Sequence, residues 1–338
     1  MKRKLFFIFT VVFALLLAAG CSGGDTSKGT EDTKTPDSKV DVAAEINKEW
    51  EASGHAIVDT AEDSPALREQ GKCMTCHNGK AFAGKAETLA AINNEVESTT
   101  CDTCHGETGK GLMEAASVKT AIGEIALGKA NLCISCHNGR GKVPDNASSP
   151  HHSVQGDMLA GINGAEADGK VYLTSAHATV ADACVACHLA KNDNGYSSHT
   201  FKMDPATAAN ACGSCHNGLD TYNRTAFADY DGDGTAEGIQ DEVQGLMELV
   251  KGAIDEKLAA DGKYVAFISS HGSVEWENAA KEVSEEAPSE ELYKAAWNYF
   301  FVDFDGSKGI HNPIYTVQLL QQSYKLVTGK DVPNAVIR

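Results

Sequence analysis

Ten of the chain's eleven cysteines fall into five pairs, each with two residues between the cysteines and a histidine directly after the second. They are Cys73 and Cys76 before His77, Cys101 and Cys104 before His105, Cys133 and Cys136 before His137, Cys184 and Cys187 before His188, and Cys212 and Cys215 before His216. Five disulfides would use the same cysteines but give no reason for a histidine at one fixed offset. Zinc sites also use paired cysteines and again leave the adjacent histidines without a role. Covalent attachment of haem c accounts for the whole pattern. Two residues between the thiols let both reach the vinyl groups of one porphyrin from a single helical turn, and the next residue turns its imidazole to the iron. The expectation is five haem c groups, with His77, His105, His137, His188 and His216 as proximal ligands.

The spacing also bounds the fold. The first cysteines of successive motifs stand at 73, 101, 133, 184 and 212, so no segment between them is long enough to bury a core of its own. Aromatic residues make up only 7% of the chain, and five apolar porphyrins would serve as core in their place. The expected fold class is mainly α with much irregular structure: a multihaem cytochrome c fold built on five packed haems and closed by C-terminal helices. Between the motifs, 83–94 and 115–129 read as helices.

The ligand on the far side of each iron separates a carrier from a catalyst. Two histidines saturate the iron, whereas an open face can bind substrate. Seven histidines lie outside the motifs. His55, His151, His152, His177, His199 and His311 are the distal candidates, and His271 is the expected spare. Side chains of adjacent residues diverge, so only one of His151 and His152 should ligate. Met113, Met158, Met203 and Met247 have no context that favours them.

The runs SPHHSVQGDMLAG, SAHATVADACVACH, SSHTF and DGSKGIHNPIYTVQLLQQSY, in that order, resemble the multihaem cytochromes c of metal-respiring bacteria, within the superfamily that includes the pentahaem cytochrome c nitrite reductases. The resemblance covers about residues 50 to 328. It implies closely packed haems, His199 and His311 as distal ligands, and C-terminal helices closing over the haems. It does not carry nitrite reduction with it. Those reductases usually replace one attachment histidine by lysine to open a distal face, and all five motifs here end in histidine.

The two ends of the chain have their own character. Residues 1–20 combine a basic start, Lys2 to Lys4, with an apolar run, as a secretory signal does. Ala18-Ala19-Gly20-Cys21 resembles a lipobox, which would make Cys21 the lipidated first residue of the mature chain. Polar residues 21–46 read as a disordered tether. Residues 47–220 hold all five motifs and form the expected pentahaem domain. Residues 221–338 are expected to pack on the haems as a helical region that supplies a distal histidine. Apolar residues recur at helical spacing over 240–258, 290–304 and 313–327, with Pro313 suited to a first turn. Asp229, Asp231, Asp233 and Glu237, around Gly234, match the start of a calcium loop, although Gln240 replaces the glutamate expected at its twelfth position.

The formal charge of −18 excludes nucleic acid and electrostatic docking on an anionic membrane as partners. Together these features predict an exported lipoprotein at the outer membrane or cell surface, held to the membrane by lipid alone. It would be an electron carrier rather than an enzyme, working in respiratory electron export. Its partners would be other multihaem cytochromes and a terminal acceptor. Two alternatives share the motifs: a reductase of a nitrogen or sulfur oxyanion at one open haem, and a subunit of a cytochrome filament.

Overall fold

The structure, a computed structural model, describes residues 40–141, 149–219, 221–270 and 272–338. The leader at 1–20, Cys21, the tether up to residue 39 and His271 lie outside the described residues. The first helix, α1 (Val42–Glu51), begins inside the stretch read as tether, where the Asp41 carboxylate caps it by accepting from the Ala44 amide.

Short elements follow: α2 (Met74–His77), α3 (Gly79–Gly84), α4 (Cys101–His105), α5 (Glu107–Glu114), the hairpin of β1 (Val118–Thr120) and β2 (Gly123–Ile125), α6 (Asn131–Ile134), α7 (Gln155–Ala160), α8 (Cys184–His188) and α9 (Pro205–Cys212). Two expectations fail here. The stretch 115–129 is a hairpin, not a helix, with Val118 paired to Ile125 and Thr120 to Gly123. Its Val, Thr and Ile residues favour extended backbone, and Gly123 at φ 143° cannot continue a helix. The stretch 83–94 holds only the end of α3 and a 3₁₀ turn at Leu89–Ile92, because Lys85 and Asn93 take left-handed conformations that end each piece.

Beyond residue 220 the elements lengthen. Helix α10 (Ile239–Asp261) leads to an antiparallel sheet of β3 (Ala266–Ser270), β4 (Ser273–Glu277) and β5 (Val283–Ser284), in the order β3-β4-β5. Helices α11 (Glu290–Asp305) and α12 (Pro313–Thr328) complete the chain. Their limits follow from local chemistry. Ser289 and Asn312 accept from the Leu292 and Tyr315 amides at the starts, Pro313 sits in the first turn, and Gly306 and Gly329 take left-handed conformations at the ends.

Helices α10, α11 and α12 pack on one another around the main apolar core. Trp276, Trp297, Phe301 and Tyr315 are fully buried there with Leu246, Ile254 and Leu319. Trp297, Phe300 and Phe301 are thus core residues of this cluster, and Tyr299 packs against it. The region of the motifs adds Val154, Met158 and Ala165 to this core and otherwise has two small clusters, around Ile134 and around Met74. The fold is mostly helical with irregular connections, and residues 41–338 form one compact unit.

Candidate haem-binding sites

Each motif forms one helical turn. The amides of His77, His137 and His216 donate to the carbonyls of Cys73, Cys133 and Cys212 at 3.1, 2.8 and 2.8 Å, and the motifs at 101 and 184 lie wholly within α4 and α8. None of the ten motif cysteines is paired in a disulfide.

The tertiary structure then brings a second imidazole to every motif histidine. Ring centres are 6.2 Å apart for His55 and His137, 6.3 Å for His105 and His199, 6.1 Å for His177 and His216, and 6.2 Å for His188 and His311. His77 faces the adjacent pair, at 6.3 Å from His151 and 5.8 Å from His152. A metal–imidazole bond is about 2.0–2.1 Å and the ligating nitrogen lies about 1.1 Å from its ring centre, so two imidazoles on opposite sides of one iron have centres about 6 Å apart. The residues therefore fit a haem at every motif. No pair is local in sequence. His177, just before Cys184, faces His216, and His199, just before Cys212, faces His105.

Hydrogen bonds orient most of these rings. Nδ1 of His177, His188 and His199 donates to the carbonyls of Ile310, Phe201 and Ser197 at 2.7, 3.0 and 2.8 Å. His137 Nδ1 donates to Gln155 Oε1 at 3.1 Å, and His311 Nδ1 to the buried Asp305 carboxylate at 2.6 Å. His151 Nδ1 meets Ser153 Oγ at 2.7 Å, whereas His152 is exposed and has no such anchor. Fixing Nδ1 leaves Nε2 free to ligate, the usual outer-sphere arrangement of a metal-bound histidine. His55 differs, because its Nδ1 is buried without a partner.

Electrostatics favour neutral rings, the form that binds metal. Burial pushes His55 down to about 4 and His151 down to about 3, and lowers His77, His137, His188 and His216 as well. His311 goes the other way: burial opposes its charge, but the Asp305 carboxylate beside it outweighs burial and raises it.

The thiols link the motifs. Cys76 lies beside Cys136, with its Sγ 3.8 Å from the Ser135 carbonyl, and Cys133 lies beside Cys184. Cys104 also lies close enough to influence Cys133, and Cys212 and Cys215 to influence Cys187. The third motif is thus the meeting point of the first, second and fourth, and the fifth adjoins the fourth.

Several contributors were not legible in the chain. Phe201, with a left-handed φ of 55°, sets its ring 4.5 Å from His55 and 5.9 Å from His199 while its carbonyl takes the His188 proton. Gln155 and Asp305 act through histidines distant in sequence. Only Asp305 left a trace, as an acid six residues before His311.

The acidic loop gathers as its spacing implied. Carboxylate oxygens of Asp229, Asp231 and Asp233 lie within 4.8 Å of one another. Those of Asp231, Glu237 and Glu242 form a second such group. Glu242, which the sequence reading did not offer as a ligand, is fully buried, and its carboxylate accepts from the Tyr230, Asp231 and Glu237 amides. Gln240 instead donates through Nε2 to the Ser307 carbonyl. Gly232 (φ 82°) runs so close to the Pro333 carbonyl that a Cβ would stand 1.9 Å from it.

Family models for cytochrome c552 and for cytochrome c554 and c-prime match residues 166–332 and 35–106. The solved outer cell wall cytochrome OcwA is similar in structure, with a TM-score of 0.52 and 24% identity over 83% of this chain and 50% of its own. This chain therefore spans about half the length of that protein. The undecahaem cytochrome from the S-layer of Carboxydothermus ferrireducens is similar at a TM-score of 0.42 and 20% identity, over 80% of this chain and 39% of its own. No curated protein matches the chain. The repeated attachment motifs, the fold and both family matches lead to one conclusion: the chain is a multihaem c-type cytochrome.

Proposed function

We propose that this cytochrome carries five haem c groups, all with two histidine ligands, and passes single electrons in respiratory electron export. The observation that carries this reading is the set of five ring pairs at one common separation, each joining a motif histidine to a histidine of the same chain. Haem c supplies a one-electron couple between ferric and ferrous iron. The chain's own residues do the rest. The cysteines tether the porphyrins, and paired imidazoles His77 with His151, His105 with His199, His137 with His55, His188 with His311 and His216 with His177 keep the irons six-coordinate. The anchored Nδ1 atoms of His137, His151, His177, His188, His199 and His311 hold those six rings still, so little rearrangement accompanies transfer there. The nearness of the cysteine pairs to one another, from the first motif through the third and fourth to the fifth, supports a relay, with the second as a branch at the third.

The same pairing argues against the two alternatives. A reductase needs an open iron face, and a ligand-sharing filament needs a histidine from a neighbouring subunit. Export, lipidation at Cys21, attachment at the outer membrane or cell surface, and partnership with other cytochromes and a terminal acceptor complete the reading. The lipobox-like leader and the acidic composition support these. Among the described residues no helix is long and apolar enough to cross a membrane.

Low-temperature electron paramagnetic resonance of the oxidised protein tests the proposal. Five low-spin signals are expected, with no carbon monoxide binding after reduction, and intact mass should show five attached haems. A high-spin signal that disappears on ligand binding would instead indicate a catalytic haem. We also assign calcium to Asp229, Asp231, Asp233, Glu237 and Glu242. Asp231 is raised by burial and then by Glu242, Asp233 and Asp229, a crowding of like charges that a divalent cation relieves. Calcium should raise the melting temperature of wild type but not of E242Q.

A further inference from the structure

His55 Nδ1 is buried and has no hydrogen-bond partner, and among the described residues it is the only histidine nitrogen in that position. The segment that carries it is tied down. The Thr99 amide donates to the His55 carbonyl at 3.0 Å, and Trp50 Nε1 donates to the Thr99 carbonyl at 2.8 Å. Phe201 packs against the imidazole edge to face, with ring centres 4.5 Å apart and planes at 74°. Its own backbone is engaged, because its carbonyl accepts from His188 Nδ1 at 3.0 Å. The ring packed closest on His55 is therefore apolar and supplies no acceptor. Buried donors are nearly always paired, and an unpaired one carries a cost that native structures keep for a reason, redox tuning among them.

An imidazole whose Nδ1–H is hydrogen-bonded is a more basic ligand through Nε2 than one whose N–H is left alone. Stronger donation favours ferric iron, so an unpaired Nδ1 favours the ferrous form. His137, across from His55, donates only to the neutral Gln155 amide oxygen at 3.1 Å. The fourth site is the opposite case, where His311 donates to the Asp305 carboxylate at 2.6 Å and His188 to a carbonyl. Burial acts in the same direction. Asn131, Ile134 and Asn138 are buried in and around the third motif, whereas Cys101, His105 and Cys215 of the second and fifth are exposed. Surroundings of low polarity disfavour the extra positive charge of ferric iron. We propose that His55 makes the third site the highest in potential of the five, so that electrons on this chain collect there. Phe201 joins this site to the fourth, touching His55 with its ring and anchoring His188 with its carbonyl. The inference rests on the reading that His55 and His137 ligate one haem at Cys133 and Cys136.

The test uses the mature, haem-loaded chain and a potentiometric titration followed by electron paramagnetic resonance. H55A removes one distal ligand, so the low-spin signal it loses belongs to the third site. In wild type that signal should be the first to fade as the potential is lowered, and another signal fading first would overturn the proposal. F201N, a residue type that tolerates the left-handed φ of 55°, opens His55 Nδ1 to an acceptor. It should lower that one midpoint by a tenfold change in the ferric–ferrous equilibrium, about 60 mV for one electron. F201M, apolar and of similar size, should move it by less than half as much. No shift in F201N, or equal shifts in both variants, refutes the role of the unpaired nitrogen. If the variants do not mature, a structure of the haem-loaded wild type decides: His55 Nδ1 without an acceptor supports the proposal, and an acceptor within hydrogen-bond distance refutes it. Peptide mass without haem at Cys133 and Cys136, or five low-spin signals in H55A, would instead refute the underlying reading.

Discussion

The region from 41 to 220 and the region from 221 to 338 solve the problem of a core by different means. The first contains five aromatic residues, Trp50, Phe82, Tyr172, Tyr196 and Phe201, against fourteen in the second. Its apolar clusters are small, and its helices rarely exceed two turns. The second builds a conventional interior, in which α10, α11 and α12 bury Trp276, Trp297, Phe301 and Tyr315. The low average aromatic content is therefore the mean of two unlike halves, one with a conventional interior and one with only small apolar clusters of its own.

The halves are joined through the ligands. Gln155 orients His137 and also donates to the Phe304 carbonyl at the end of α11. The Ile310 carbonyl anchors His177, and His311 faces His188. Helix α7 and its capping residue contribute Met158 and Val154 to the main core although they lie among the motifs. The longer helices thus hold histidine partners at positions that the short segments could not fix alone.

The strongest way to break the comparison is to prevent haem attachment. Expressed without c-type maturation, the chain should lose most hydrogen-exchange protection over 41–220, while α10 and α12 amides stay protected. Equal loss in both regions would show that the second half also depends on haem. The next largest effect is Trp297→Ala. The side chain is fully buried and its Nε1 donates to the Asn163 carbonyl at 3.0 Å, so denaturant unfolding should show a loss of about 3–5 kcal/mol.

Asp157, at the seam, tests pH. Burial raises its carboxyl to about 6, partly opposed by hydrogen bonds from Asn163 and Gly139. A raised folded-state value means that the native state holds the proton more tightly than the unfolded chain. Its stabilising contribution is therefore full below about pH 4 and is lost as pH rises through 6, by up to about 3 kcal/mol. Relative to Asp157→Asn, wild type should lose stability over that window, and parallel profiles would reject the assignment. The smallest effect is Asp305→Asn. Removing the carboxylate behind His311 makes that imidazole less basic, so one haem's midpoint should rise by on the order of 60 mV in a redox titration, with the others unmoved.

Much of this was legible in the residues. The five motifs propose their own cysteines and proximal histidines, because both sulfurs and the imidazole must come from one helical turn, and each motif does form such a turn. The long helices announced themselves through apolar spacing and Pro313, and the structure added the caps Ser289 and Asn312 at the starts of α11 and α12 and Gly306 and Gly329 at their ends. Local patterns failed where the chain is short and irregular. The 115–129 hairpin carried enough apolar residues to read as a helix, and nothing foretold the β3–β5 sheet. Glu242 escaped because a fixed loop template directed attention to Gln240.

What the sequence by itself determined is which residues we propose as haem attachment sites, since that chemistry is confined to five consecutive residues. Which histidine stands across from which was decided by tertiary structure alone. A ligand on the far face of a porphyrin must come from another segment, and only the packing of the segments brings His55 to His137, His199 to His105 and His311 to His188.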